Sequence, residues 1–205
     1  MPVRKRQKMH TEIYNSMVVY YDDGKFEQDA DTVYLPESEF DFETKLGIHA
    51  FYDMSIYKTS PNANCITEDF INSNRYRNPE KLEMLQSMLN SGLGLFDIVQ
   101  TDADKGYACI REVFTGNEYT LTDIGLSGSP NCETTYLYSR IITYRDVSFG
   151  SGLNLIFKKS DRFIQGFIKR HKKDYKPFEE YTRFVELYRR FFKDSNGMEV
   201  VGNLP

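Results

Sequence analysis

Three histidines, three cysteines and an acidic run are the side chains in this 205-residue sequence with the intrinsic chemistry to move protons, attack a carbonyl or hold a metal. His10 lies in the basic opening MPVRKRQKMHTEIY, His49 beside Phe51, and His171 inside KRHKK. None sits in an H-E-x-x-H frame or any other ligand spacing, so a metal site would need partners brought by the fold. Cys65, Cys109 and Cys132 are odd in number, far apart and in no C-x-x-C pair, which excludes a disulfide framework and a cysteine zinc site. Cys109 falls within an apolar strand pattern, where a thiol is inert; Cys132, in the loop SGSPNCET, is expected to be the more exposed. Glu37, Glu39 and Asp41 could pair for general acid and base work, but so acidic a loop reads as solvated.

Two further patterns fail on spacing. TDADKGYACIRE has the look of a calcium loop, yet counting from Asp102 puts Tyr107 where the invariant glycine belongs and Val113 where the bidentate glutamate belongs. It reads as a hairpin turn. The glycine pairs 92/94 and 150/152 are too few for a dinucleotide or Walker loop, and no Lys-Ser/Thr follows them. No cofactor is expected.

Charge is the one asymmetry above background. Residues 158–194 hold twelve Lys or Arg against six Asp or Glu, and residues 1–10 add four cations; residues 11–157 hold ten basic side chains against 23 acidic ones. Within the basic end, Lys169, Arg170, Lys172 and Lys173 could contact nucleic acid or an acidic partner, with Tyr175 and Phe178 near enough to stack on bases. The opposing reading is that this end packs beside the acidic body and is neutralised by it. A net charge of −4 and a pI near 5.5 speak against a dedicated nucleic-acid binder.

The elements that must position these groups come from periodicity and punctuation. The cations at 4–8 read as a frayed terminus and EIYNSMVVYY as a helix; residues 27–43 read as an acidic loop. A helix is expected over about 42–56, then a loop through KTSPNANC and a short EDFIN turn capped by Thr67. Asn78 and Pro79 open a helix with Leu82, Leu85 and Leu89 on one face, closed by Gly92. LFDIVQTD, the strand after Asp104-Lys105-Gly106, and EYTLTDI after Thr115-Gly116-Asn117 form an antiparallel meander, joined by TTYLYSRIITYRDV and SGLNLIF. Two helices end the chain, with Phe163/Ile164/Phe167/Ile168 as one stripe and Phe178 to Phe191 as the other; Glu179–Arg183 and Glu186–Arg190 are i,i+4 pairs on the wet face.

The segments FYDM, CITEDFI, SGLGLFDIVQTD, REVFTGNEYTL and LYSRIITY, in that order from Ala50 to about Lys169, resemble an uncharacterised bacterial family that often precedes a SecA-like cysteine-rich zinc tail (SEC-C). The resemblance implies a curved antiparallel sheet flanked by helices and carries no activity. The tail's cysteines are missing from NGMEVVGNLP, so zinc is not implied.

The expected fold is therefore α+β in a single domain: mainly helical over 1–92, a strongly curved antiparallel sheet or small open barrel of about five strands over 93–157, two helices over 158–195 and a tail. The expected protein is cytoplasmic, without a membrane span, and a non-enzymatic binding or interaction module. Its partner would be another protein or a second copy of the chain. Nucleic acid bound by the basic terminal helices is one alternative. An enzyme whose site gathers dispersed acids, Tyr or His is another.

Overall fold

The computed structural model describes residues 3–22, 40–57, 64–73, 77–173, 175–176 and 180–194. Most of the expected acidic loop, residues 58–63 of the KTSPNANC loop, Phe178, Glu179 and the tail lie outside them. By contacts the chain forms two compact units, one of Met1–Gly92 with Ile142–Asp146 and the other of Leu93–Ile141 with Val147–Pro205.

The first unit is built on four helices: α1 (Val3–Asp22), α2 (Lys45–Ile56), α3 (Ile66–Asn72) and α4 (Pro79–Leu89). Residues 4–8 are not frayed. They are the first turns of α1, because Met9, Ile13, Met17 and Tyr20 continue one buried stripe and Arg6 is drawn in with them, its Nη1 2.6 Å from Asp146 Oδ1. That stripe meets Ala50, Met54 and Ile56 of α2, Ile66 and Phe70 of α3, and Met84, Leu85 and Met88 of α4, all buried. Each buried Met, Ile, Leu or Phe among them contributes about 1.5 to 3 kcal/mol of transfer free energy. The buried face of α4 is thus Met84/Leu85/Met88, with Leu82 and Leu89 half-buried at its margins.

Local chemistry sets the helix ends. Asn78 Oδ1 accepts from the backbone N–H of Glu80 and Lys81, and Pro79 follows at the first helical position. Thr44 Oγ1 accepts from Gly47 N–H at the start of α2. Thr67 does not cap α3; its hydroxyl is buried and donates to the Ile56 carbonyl at 2.6 Å, tying α3 to the end of α2. Gly47 is required where it stands, since a Cβ there would lie 1.8 Å from the Asp41 carbonyl oxygen.

The second unit is organised by five strands, β1 (Gly92–Asp102), β2 (Tyr107–Glu112), β3 (Glu118–Thr122), β4 (Thr135–Tyr144) and β5 (Val147–Lys158), of which β4 runs on into the first unit. The strands close on themselves as a ring in the order β1-β2-β3-β5-β4. β1 pairs antiparallel with β2, Ile98 opposite Ile110, and β2 with β3, Ile110 opposite Tyr119. The expected curved α+β arrangement is present, with one departure: β3 meets β5 in parallel, at Leu121 and Ser148. A bulge between Ile98 and Gln100 interrupts the expected alternation in β1, and Gln100 is exposed like Val99 instead of following Phe96 and Ile98 inward.

Phe96, Ile98, Ala108, Ile110, Leu121, Leu137 and Ile141 form one apolar cluster, closed over by Leu126 of the short helix α5 (Ile124–Ser127) and by Cys132. Cys132 is therefore buried and Cys109 half-buried, the reverse of the expectation, because a 3-10 turn at Cys132–Thr134 rolls the thiol inward. The Asp102–Gly106 turn is the hairpin expected: Asp102 Oδ1 accepts from Lys105 N–H, and Gly106 takes φ +69°. Helices α6 (Arg162–Lys173) and α7 (Glu180–Asp194) complete the unit, α7 packing on the sheet through Phe191 against Phe157, 5.8 Å between ring centres.

Candidate functional site

Helix α6 sorts its residues by periodicity. Ile164 and Phe167 are buried, Phe163, Ile168 and His171 half-buried, and Lys169, Arg170, Lys172 and Lys173 lie on the exposed side. Its last turn holds Arg170, His171, Lys172 and Lys173, where the negative end of the helix dipole favours cations.

The basic end is neutralised only in part. Glu186 of α7 pairs with Arg170 and, at 3.1 Å, with His171 Nε2, whose ring rests 4.4 Å from that of Phe167. Arg190 reaches Asp161 at 3.7 Å and Arg140, fully buried, reaches Glu180 at 3.9 Å. Glu186 thus serves α6, a use that helical spacing within α7 did not suggest. Among the described residues no ion pair reaches Lys169, Lys172 or Lys173.

Tyr175 is already occupied. Its ring stacks on Phe114 at 5.4 Å and 17°, and the Arg183 guanidinium lies 5.1 Å from the Tyr175 centroid and 5.8 Å from that of Phe114. Arg183, only 3% exposed, also donates from Nη1 to the Lys176 carbonyl at 2.9 Å. Burial, with the negative charge of Glu112 next, pushes the Tyr175 phenol pKa up. Glu112 is itself buried and its Oε2 accepts from the backbone N–H of Phe114 at 2.8 Å and of Thr115 at 2.5 Å, which fixes the turn that carries Phe114.

A second constellation, in the first unit, was missed in the sequence. His10 of α1, 6% exposed, shares a 2.9 Å hydrogen bond through Nε2 with the hydroxyl of Tyr57, and burial lowers its pKa to about 4. Tyr14, one turn along α1, has its pKa raised by burial and then by the charge of Asp53. His49 is half-buried on α2, its pKa lowered chiefly by burial. Tyr52 is pushed up to about 12, by burial first and by its hydrogen bond to Asp22 second. The signal for His10 was available: it falls on the 6, 9/10, 13, 17, 20 stripe that buries α1. Chemically the pair is a neutral imidazole hydrogen-bonded to a buried phenol and shut off from solvent, an arrangement that resists charging the imidazole.

Among the described residues no group of three or more His, Cys, Asp or Glu is placed to hold a metal ion, and no helix is long and apolar enough to cross a membrane. In comparison with known proteins, the model of a family of unknown function, DUF7986, matches residues 3–200, so the chain belongs to that family. The match bears out an uncharacterised family and does not reach the group bearing the SecA-like tail. No curated protein and no solved structure matches the chain.

Proposed function

Membership of DUF7986 brings no activity with it, and we propose from the site itself that the chain is a non-enzymatic binding module. Its contact surface includes the exposed face of α6, and its partner there is an acidic protein surface. The observation that carries this reading is the division of labour among the cations of the basic end. Arg140, Arg183 and Arg190 lie against groups of the same unit and Glu186 takes Arg170 and His171, whereas Lys169, Lys172 and Lys173 point their charge at solvent. Three lysines are a small footprint for nucleic acid, and Tyr175 has its ring committed to Phe114 and Arg183, so the stacking platform that single strands require is taken. A cytoplasmic, bacterial setting and kinship with the tail-bearing family belong to the same proposal. Three reduced cysteines and the order of turns support them.

The test is titration of the chain with polyglutamate and with an oligothymidine at two salt concentrations. Polyglutamate is expected to bind and to be lost in the variant carrying Lys169→Gln, Lys172→Gln and Lys173→Gln, with unfolding unchanged. Tighter binding of the oligonucleotide, with a steep salt slope removed by the same variant, transfers the reading to nucleic acid. Binding of neither overturns both.

An acid-base enzyme reading has one observation in its favour, the shifted cluster around His10 and Tyr57. Burial of both groups weighs against it, since a substrate must reach the proton it exchanges.

A further inference from the structure

Helix α1 carries its charges against its own dipole. Arg4, Lys5 and Lys8 are exposed at the positive end, Asp22 is exposed at the negative end, no acidic residue occupies the first turn and no basic residue the last. The cations also repel one another, Arg4 and Lys8 at i,i+4 and Lys5 and Lys8 at i,i+3. Arg6, by contrast, is explained by its pair with Asp146, Glu12 by its 3.7 Å pair with Lys81, and Asp22 in part by the 2.9 Å hydrogen bond that its Oδ1 accepts from the Tyr52 hydroxyl.

The exposed residues run in steps of three or four along one face: Arg4, Lys8, Thr11, Asn15, Val19 and Asp22. The stripe is about 27 Å long. It contains one large apolar side chain left in solvent, Val19 at 59% exposure. Its order is complementary to its own reverse. Laid antiparallel on an identical helix, Arg4 faces Asp22 of the second copy, Thr11 faces Asn15, and the Lys8 stem runs beside Val19. Every contact then occurs twice, as two-fold symmetry requires. The same arrangement sets each positive helix end against the other's negative end, which removes the conflict with the dipole.

We propose that this face of α1 is a self-association surface, whose occupant is α1 of a second copy of the chain in antiparallel, two-fold register. One helix face from each copy buries less than about 1,200 Å² in total, so the dimer is a weak one that depends on charge.

Sedimentation of the full chain at low salt, where the Debye length is about 30 Å, and at high salt tests it. A monomer–dimer equilibrium that shifts towards monomer as salt rises is expected. Arg4→Glu and Asp22→Lys should each weaken association by about tenfold or more, and the two together should restore it. Circular dichroism melting of each variant reports folding, and a merely unfolded variant cannot be rescued by a second charge reversal. A chain that stays monomeric at low salt, or a double variant no better than the singles, overturns the proposal. So does a monomer whose Arg4 and Lys8 capture polyglutamate or an oligonucleotide, because the occupant is then a different polyanion. No α6 lysine takes part, so this proposal and the preceding one fail separately.

Discussion

The imidazole of His10 lies 2.9 Å from the hydroxyl of Tyr57, bridging the second turn of α1 and the end of α2 inside the helical unit. Protonating His10 puts a charge where water cannot reach it, which is why its pKa falls to about 4. In the unfolded chain the same group titrates near its ordinary 6.5. Between those values the unfolded state binds more protons, so stability is complete above about pH 6.5 and is lost as pH falls towards 4, by up to about 3 kcal/mol. Urea midpoints measured from pH 7 to pH 4 are expected to drop along that curve, and His10→Gln to flatten it. A wild-type curve with no slope in this window would dismiss the assignment.

Glu112 anchors the β2–β3 turn from beneath by accepting two backbone N–H bonds. Glu112→Ala strands both donors and is expected to cost about 1 to 3 kcal/mol, while Glu112→Gln, which keeps an acceptor, costs less. Denaturant titration of the three proteins gives the order directly.

Glycine replacement separates clash from strain. Gly47→Ala drives a methyl into the Asp41 carbonyl and is expected to destabilise by about 3 kcal/mol or more, seen as early loss of helical circular dichroism. Gly116, at φ +78°, has nothing within 4 Å of the Cβ position, so Gly116→Ala should cost only about 1 kcal/mol from backbone strain.

Arg183 holds Tyr175 and Phe114 together through its planar face and binds the Lys176 carbonyl through an edge. An ammonium group cannot reproduce both contacts. Arg183→Lys is expected to lower stability by about 1 to 2 kcal/mol and to weaken the near-ultraviolet tyrosine signal. An unchanged spectrum with unchanged stability would count against the stack.

What could be read from residue order alone was what short-range chemistry decides. Asn78-Pro79 starts α4 because both residues act on the first turn itself, and the glycines at 106 and 116 turn β1 into β2 and β2 into β3 because only the local backbone is involved. The basic face of α6 was legible for the same reason, being a matter of spacing within twelve residues. Burial of Arg6 was not, since it depends on Asp146, 140 positions away. Nor was the inward turn of Cys132, whose thiol reaches Thr101 at 3.8 Å, or the service of Glu186 to a different helix. Each rests on contacts that the chain makes only after it has closed long loops.

The parallel meeting of β3 and β5 at Leu121 and Ser148 makes one seam of the ring unlike the hairpins beside it. Its two sides are 27 positions apart, so it can form only once the chain has doubled back. With the β1–β4 closure it is one of two clasps on a bracelet whose other links are hairpins, and such clasps, joining distant stretches of chain, are expected to fasten after the hairpins and to be where the circle comes undone.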